Sequence, residues 1–419
     1  MKRREVFGLM AAAFAARAEE SKCRIEAVEL WEYQGAREAE RGVNGQYQVQ
    51  PLHIYDAYRP KEYRDSAAAE KGPQKMTAIY LKLKATGGIE GLYGPVDREA
   101  AIIIDEQLKA WLKGKDALAG DVNWDQLWRS NRHSRSGHYM MAISAIDNAL
   151  WDLRGRYFNV PVYRLLGGPS RNSVEVYGST LGYSLEPSKI AERSKELYAK
   201  GFHNQKWFLA DGPGRGTEGF DRNVKAVQIL RESAGPQANL MFDVFSGWDL
   251  PYSIAWCKAV ESLRPRWLEE PFSSEKVDSY VRLSSSTSVP IATGEHFYGR
   301  WEAHQFLKAD AIRVVQADPE WCGGTSELKK ICTLASIYDV PVIPHGHNLH
   351  AALHVVASEP PTTCPWSEFL ILKMSSYYHF DKNPMQPVNG RIQLGERPGF
   401  GMEIDRGKVE KERLLTWKV

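Results

Sequence analysis

Six side chains able to do acid–base or metal chemistry recur at nearly constant spacing through this 419-residue chain. Asp243, Glu269 and Glu295 follow one another at intervals of 26 residues, and Asp318, His345 and Glu368 continue the series at 23, 27 and 23. Each closes a short apolar run. Three carboxylates brought to one point repel one another unless a cation sits among them. An all-oxygen donor set suits Mg2+, which keeps water or substrate in its remaining positions. Taken singly, an acid after a strand is an ordinary helix N-cap or surface ion pair; the shared phase is what favours a metal site. Asp318 paired with His345 is the arrangement in which a carboxylate orients an imidazole and raises its basicity. A cation opposite such a base would bind a substrate carboxylate. It would neutralise the enediolate formed when the base takes the adjacent carbon-bound proton.

An interval near 26 residues is the length of one strand–helix unit. Apolar runs at 174–178, 205–209, 240–244, 267–270, 290–294, 312–318, 340–344 and 366–371 alternate with polar–apolar helical stretches. Eight such strands predict an α/β chain folded as a modified TIM barrel, (β/α)7β, with the six residues at the C-terminal rim where neighbouring strands lie about 4.8 Å apart. Residues 19–168 read as an N-terminal α+β capping domain. Strands at 25–30 and 78–83 flank a long polar, aromatic loop near 42–60, and helices follow at 101–113 and 140–156. The barrel is assigned to 169–371. The Pro- and Gly-rich segment 372–419 is expected to pack back on the capping domain.

A net charge of +2 and the lack of an apolar run of about 20 residues argue against nucleic acid or a membrane span as partners. The five cysteines are scattered, with no CxxC pair, so neither a disulfide scaffold nor a zinc ribbon is indicated. Residues 1–18 differ from the rest. Lys2, Arg3 and Arg4 precede an apolar stretch ending in Ala16-Arg17-Ala18, which reads as a twin-arginine-type export signal and predicts a periplasmic or exported protein; the alternative is a frayed amphipathic N-terminus on a cytoplasmic one.

The chain resembles the enolase superfamily, mandelate racemase subgroup. The resemblance is carried by Ala145-Ile146-Asp147-Asn148-Ala149-Leu150-Trp151-Asp152-Leu153, Pro161 to Gly168, Trp267-Leu268-Glu269-Glu270-Pro271, Thr293-Gly294-Glu295 and Cys322-Gly323-Gly324. Within the subgroup it is most similar to acid-sugar dehydratases of the rhamnonate type, through Gly294-Glu295-His296, Trp321-Cys322-Gly323-Gly324, Pro344-His345-Gly346 and Ser367-Glu368-Phe369-Leu370. The resemblance implies one Mg2+ per subunit held by Asp243, Glu269 and Glu295, an Asp318/His345 dyad, a supporting role for Glu270, and a homo-oligomer. It also implies that the N-terminal loop covers the barrel mouth and selects substrate, which makes His53 and Arg59 candidate substrate ligands.

One departure bears on the reaction. Many subgroup members end the second barrel strand with Lys-x-Lys, the second Lys being a base opposite the His, whereas here the text is Lys206-Trp207-Phe208. Phe208 cannot accept a proton, so racemisation loses a partner while dehydration survives. His345 would take the α-proton; His345 itself, His296 or Glu368 would protonate the departing β-hydroxyl, and the enol would become a 2-keto-3-deoxy acid. Lys206 has two readings, as positive charge near the substrate carboxylate or as a counter-charge to the ligand cluster. His350 and His354 have the i,i+4 spacing of a zinc pair but no Glu between them. Gly212, Gly214, Gly216 and Gly219 fit no phosphate-loop pattern and read as a rim loop. The expected activity is that of a Mg2+-dependent sugar-acid dehydratase, a lyase. Its rivals are a racemase or epimerase of the same fold and an exported sugar-acid binding protein with an inactive site.

Overall fold

Alternating burial along the N-terminal strands shows which of their faces meets the core: in β2 (Gly72–Ala85), Leu81, Leu83 and Ala85 are inside. The computed structural model describes residues 23–39, 48–60 and 72–417. The segment 1–18 read as an export signal lies outside the described residues. β1 (Ile25–Ala39), β2 and β3 (Ile89–Tyr93) form an antiparallel meander. The helix Gly137–Tyr157 lies against β3. Gly91 makes this possible, since a Cβ there would fall 2.3 Å from the Ala149 carbonyl oxygen. The helix expected over 101–113 is divided into Arg98–Ile103, a wider π turn at Ile104–Leu108, and Lys109–Leu112. Ile104, Leu108 and Leu112 repeat every four residues, a spacing that drifts about 40° per step on a regular α-helix. The wider turn keeps all three buried.

The second sheet is parallel. It runs in sequence order from β4 (Ser173–Ser179) through β5 (Asn204–Phe208), β6 (Asn239–Asp243), β7 (Trp267–Glu269) and β8 (Ile291–Thr293) to β9 (Val314–Val315). β10 (Trp366–Leu370) pairs with β4 at the other end. The strand expected at 340–344 is reduced to a single bridge between Val315 and Val342. Pro341 and Pro344 lack the N–H donors a ladder needs. Helices separate all these strands, and the one after β10, Ile371–Tyr377, is short, as expected of (β/α)7β. Among the described residues no helix is long and apolar enough to cross a membrane.

Tyr177, Met241, Trp267, Ala292, Val314 and Ile343 make a buried apolar cluster. Side chains two residues apart on a strand share a face, so Met241 leads to Asp243 and Trp267 to Glu269, one step nearer the C-terminal rim. The C-terminal segment returns to both sheets: β11 (Arg391–Gln393) pairs with β4, and β12 (Lys411–Leu415) pairs with β1.

Candidate active site

Asp243, Glu269 and Glu295 are buried, and each offers a carboxylate oxygen within 4.8 Å of the others. The ladder enforces this, because Asp243 is the registered neighbour of Glu269 and the β7–β8 pairing carries Glu295 alongside. Lys206, the inward residue of β5, places Nζ 3.2 Å from Asp243 Oδ2 and 2.8 Å from Glu368 Oε1, and donates to Glu269 Oε1. Trp267 Nε1 donates to the other Glu269 oxygen at 2.8 Å. Burial and mutual repulsion, against the pull of Lys206, push Asp243 up to about 7 and Glu269 up to about 8. Burial also raises Glu295 to about 7. One ammonium does not offset these acids, and the hard oxygen set fits a small divalent cation such as Mg2+.

Glu269 and Glu270 are consecutive, so regular strand geometry would send their carboxylates to opposite faces. Glu270 instead takes a left-handed conformation, φ 44°, and turns back to the rim with Oε1 3.1 Å from His296 Nδ1. Phe245 and Ser246, just beyond Asp243, are also left-handed, at φ 45° and 54°. Such conformations cost roughly 1–3 kcal/mol each and persist only where the surroundings impose them. Here the Ser246 N–H donates to the Glu270 carbonyl oxygen, 2.7 Å, and the Phe245 N–H to Asp243 Oδ1, 3.0 Å.

Across the mouth, His345 Nδ1 lies 2.7 Å from Asp318 Oδ2 and Nε2 lies 3.5 Å from Glu295 Oε2. Burial disfavours charge on both partners, lowering His345 and raising Asp318. Glu368 is fully buried beside Lys206. Although burial opposes its ionisation, Lys206 and His345 bring it down to about 2, which does not suit the proton-donor role considered for it. His296 is half exposed. Its burial is outweighed by Glu270 and Glu295, which raise it to about 9. Lys206 acts as the counter-charge to the ligand cluster: burial opposes its charge, yet Glu269 and Glu368 hold its pKa well above the ordinary lysine value.

Sequence reasoning missed a second imidazole–carboxylate pair. His347 Nδ1 bonds Glu320 Oε2, and the Tyr377 hydroxyl stands 3.2 Å from the same ring nitrogen. Trp321 packs against all three imidazoles, with ring centroids 5.4 Å from His296, 4.9 Å from His345 and 5.1 Å from His347. The signal was present as a doubled i,i+2 pattern, Asp318-x-Glu320 and His345-x-His347. The two histidines at zinc-pair spacing bond separate partners: His350 Nε2 bonds Asp381, 2.9 Å, and His354 Nδ1 accepts from the Tyr163 N–H, 3.1 Å.

His53 and Arg59 lie on the segment 48–60, which is pinned over the β5 and β6 loops. The Val49 N–H donates to the Leu209 carbonyl oxygen at 2.8 Å, and the Val49 side chain fills the space beside Gly212 and Gly247. His53 Nδ1 accepts from the Gln50 N–H, and Arg59 donates to the His53 and Ile54 carbonyl oxygens. No contact joins either side chain to the acidic group among the described residues. A cavity of about 600 Å3 at the N-terminal end of β4 is lined by the C-terminal segment and by none of the candidate residues except through core His354.

Residues 189–408 match the family described as enolase C-terminal domain-like, and residues 60–167 match the N-terminal domain of mandelate racemase / muconate lactonizing enzyme. The chain belongs to this family, a class of enzymes built on a capped barrel. It is 31% identical over 356 residues to L-rhamnonate dehydratase of Saccharopolyspora erythraea, covering 82% of this chain and 87% of that one. It is 29% identical over 335 residues to D-galactarolactone cycloisomerase of Agrobacterium fabrum, covering 77% and 86%. The rhamnonate dehydratase of Gibberella zeae, solved in complex with Mg, superposes with a TM-score of 0.76 at 26% identity over 92% of this chain and 95% of that one.

Proposed function

We propose that the protein is a Mg2+-dependent lyase that dehydrates a sugar acid of the L-rhamnonate class to a 2-keto-3-deoxy acid. The observation that carries this reading is the three-carboxylate group facing the Asp318–His345 pair across one buried mouth, with Phe208 where a second base would stand. The relatives named for rhamnonate dehydration support the substrate class. When bound by Asp243, Glu269 and Glu295, Mg2+ supplies positive charge to the substrate carboxylate and to the charge that develops as the α-proton leaves.

His345 takes that proton at Nε2, the nitrogen turned towards Glu295 and Glu368, while Asp318 fixes the ring through Nδ1. Lys206 cannot act as the opposite base, since its ammonium is engaged by Asp243, Glu269 and Glu368. Racemisation needs proton transfer on both faces of one carbon and therefore lacks a partner. Elimination needs one face. His345 can hand its proton to the departing β-hydroxyl, and His296 is a second donor at the same rim. The reading extends to one Mg2+ per subunit, a homo-oligomer, and export directed by residues 1–18.

Incubation of mono- and diacid sugars with enzyme and Mg2+ in D2O tests the proposal. Formation of a 2-keto-3-deoxy acid supports it. Deuterated, configuration-inverted substrate without keto product would establish the racemase instead, and an unchanged pool across the panel would leave a binding protein.

A further inference from the structure

The stretch Ser144-Ala145-Ile146-Asp147-Asn148-Ala149-Leu150-Trp151 belongs to the N-terminal helix Gly137–Tyr157, yet its polar side chains bond the barrel loop that follows Asp318. Asn148 Nδ2 donates to the Pro319 carbonyl oxygen at 2.9 Å, and its Oδ1 accepts from the Thr325 N–H and hydroxyl, both at 2.8 Å. Ser144 Oγ accepts from the Gly323 N–H at 2.8 Å, while Trp124 Nε1 donates to the Gly323 carbonyl oxygen at 2.7 Å. Asp147 accepts from the Ser326 N–H at 2.8 Å and its hydroxyl at 2.7 Å, so it caps the barrel helix Thr325–Ser336 from another unit of the fold. Gly324 must be glycine for this approach: its φ is 90°, and a Cβ would stand 2.4 Å from Asp147 Oδ2.

Ser144, Asp147 and Asn148 are all buried, and a buried polar group destabilises a fold unless it is bonded. An apolar helix face would dock two units without that demand. The bonds made by Asn148 have a specific result: its one amide clasps both ends of the loop 319–325. One end is the peptide next to Asp318; the other is the first turn of the helix. β9 stops at Val315, three residues before Asp318, so no strand ladder holds the dyad carboxylate.

We propose that Asn148 is a positioning residue: by holding the peptide after Asp318 it sets the aim of the Asp318 carboxylate at His345 Nδ1. The proposal rests on the reading of His345 as the base. A displacement of a catalytic group by about 1 Å from a distant substitution lowers rate by up to about 100-fold.

Asn148→Ala and Asp147→Asn separate positioning from mere support, because Asp147 reaches only the helix start. Asn148→Ala is expected to lower kcat, and the His345-dependent exchange of the substrate α-proton with D2O, by about tenfold or more. KM and Mg2+ affinity should stay within about twofold, since the metal-binding acids lie on β6–β8, outside this loop. Asp147→Asn is expected to lose a comparable amount of thermal stability while keeping kcat. Should Asn148→Ala not fold, Asn148→Ser, smaller by the amide yet still polar, is read in the same way. The proposal is overturned if a folded Asn148 variant keeps parental kcat, or if both substitutions lower kcat in step with melting temperature. If the parent enzyme exchanges the α-proton but forms no keto product, the dehydratase reading fails and the exchange rates still decide the role of Asn148.

Discussion

On the β6–β8 side of the barrel mouth, two of the three acids end registered strands and the third lies two residues past one, so the parallel ladder itself holds them. On the opposite side β9 contributes two residues and the next segment a single bridge. Asp318 and His345 stand beyond the ladder, on irregular backbone held by the helix Gly137–Tyr157 and by bonds to the Asp318 carboxylate. One half of the site is a property of the barrel. The other half also draws on a second unit, whose helix bonds the loop after Asp318. Metal binding and proton abstraction should therefore respond to different substitutions.

The largest separation is expected between Glu269→Gln and His345→Asn. Glu269→Gln removes a ligand from the ladder side, so both Mg2+ binding and activity should be lost. His345→Asn should lower kcat by about 1000-fold, within the range for loss of a general base, while the Mg2+-induced rise in melting temperature survives. Calorimetric Mg2+ titration of the two variants checks the comparison; loss of Mg2+ binding in His345→Asn would show that the halves are not independent.

Lys206 sharpens the ladder side alone. Lys206→Met keeps the length of the side chain and deletes the counter-charge bonded to three acids. Removing one partner from a buried ionic group destabilises by about 3–5 kcal/mol. The expected result is a fall in melting temperature in EDTA, with a larger recovery on adding Mg2+ than the parent shows, since the cation then relieves more repulsion. Equal recovery in both would mean that Lys206 and the metal do not serve the same acids.

Both halves were legible in the spacing, and the Asp318–His345 pair forms as expected, but the ladder half was the simpler to read. The interval of 26 residues located Asp243, Glu269 and Glu295 because each strand–helix unit is local in sequence and repeats. Their place at the ends of the apolar runs then put them at the C-terminal rim. Seven of the eight runs became strands, and the run at 340–344 lost its ladder to two prolines visible in the text. The turn of Glu270 back to the rim was not visible, because a left-handed residue is imposed by its neighbours rather than by its own type. Nor was the use of Ser144, Asp147 and Asn148, whose partners lie 171 to 179 residues away. Their motif carried a family resemblance without showing what it bonded.

The smallest effect concerns the dyad side at acid pH. His354, on the helix Leu349–Ser358 that follows the His345 segment, is buried and accepts the Tyr163 N–H at Nδ1, so it must be neutral in the fold. Burial, reinforced by His350, lowers it to about 3. The unfolded chain, with an ordinary imidazole near 6.5, binds a proton that the folded chain refuses, so stability is complete above that value and declines as pH falls towards 3. From pH 7 to pH 5 the loss is about 2 kcal/mol from this one group. His354→Gln keeps an acceptor for Tyr163 and removes the titration. Urea unfolding at the two pH values should therefore show a drop smaller by about that amount than in the parent. An unchanged drop would place the acid sensitivity elsewhere, and Mg2+ binding at pH 5 would then report whether the ladder side carries it.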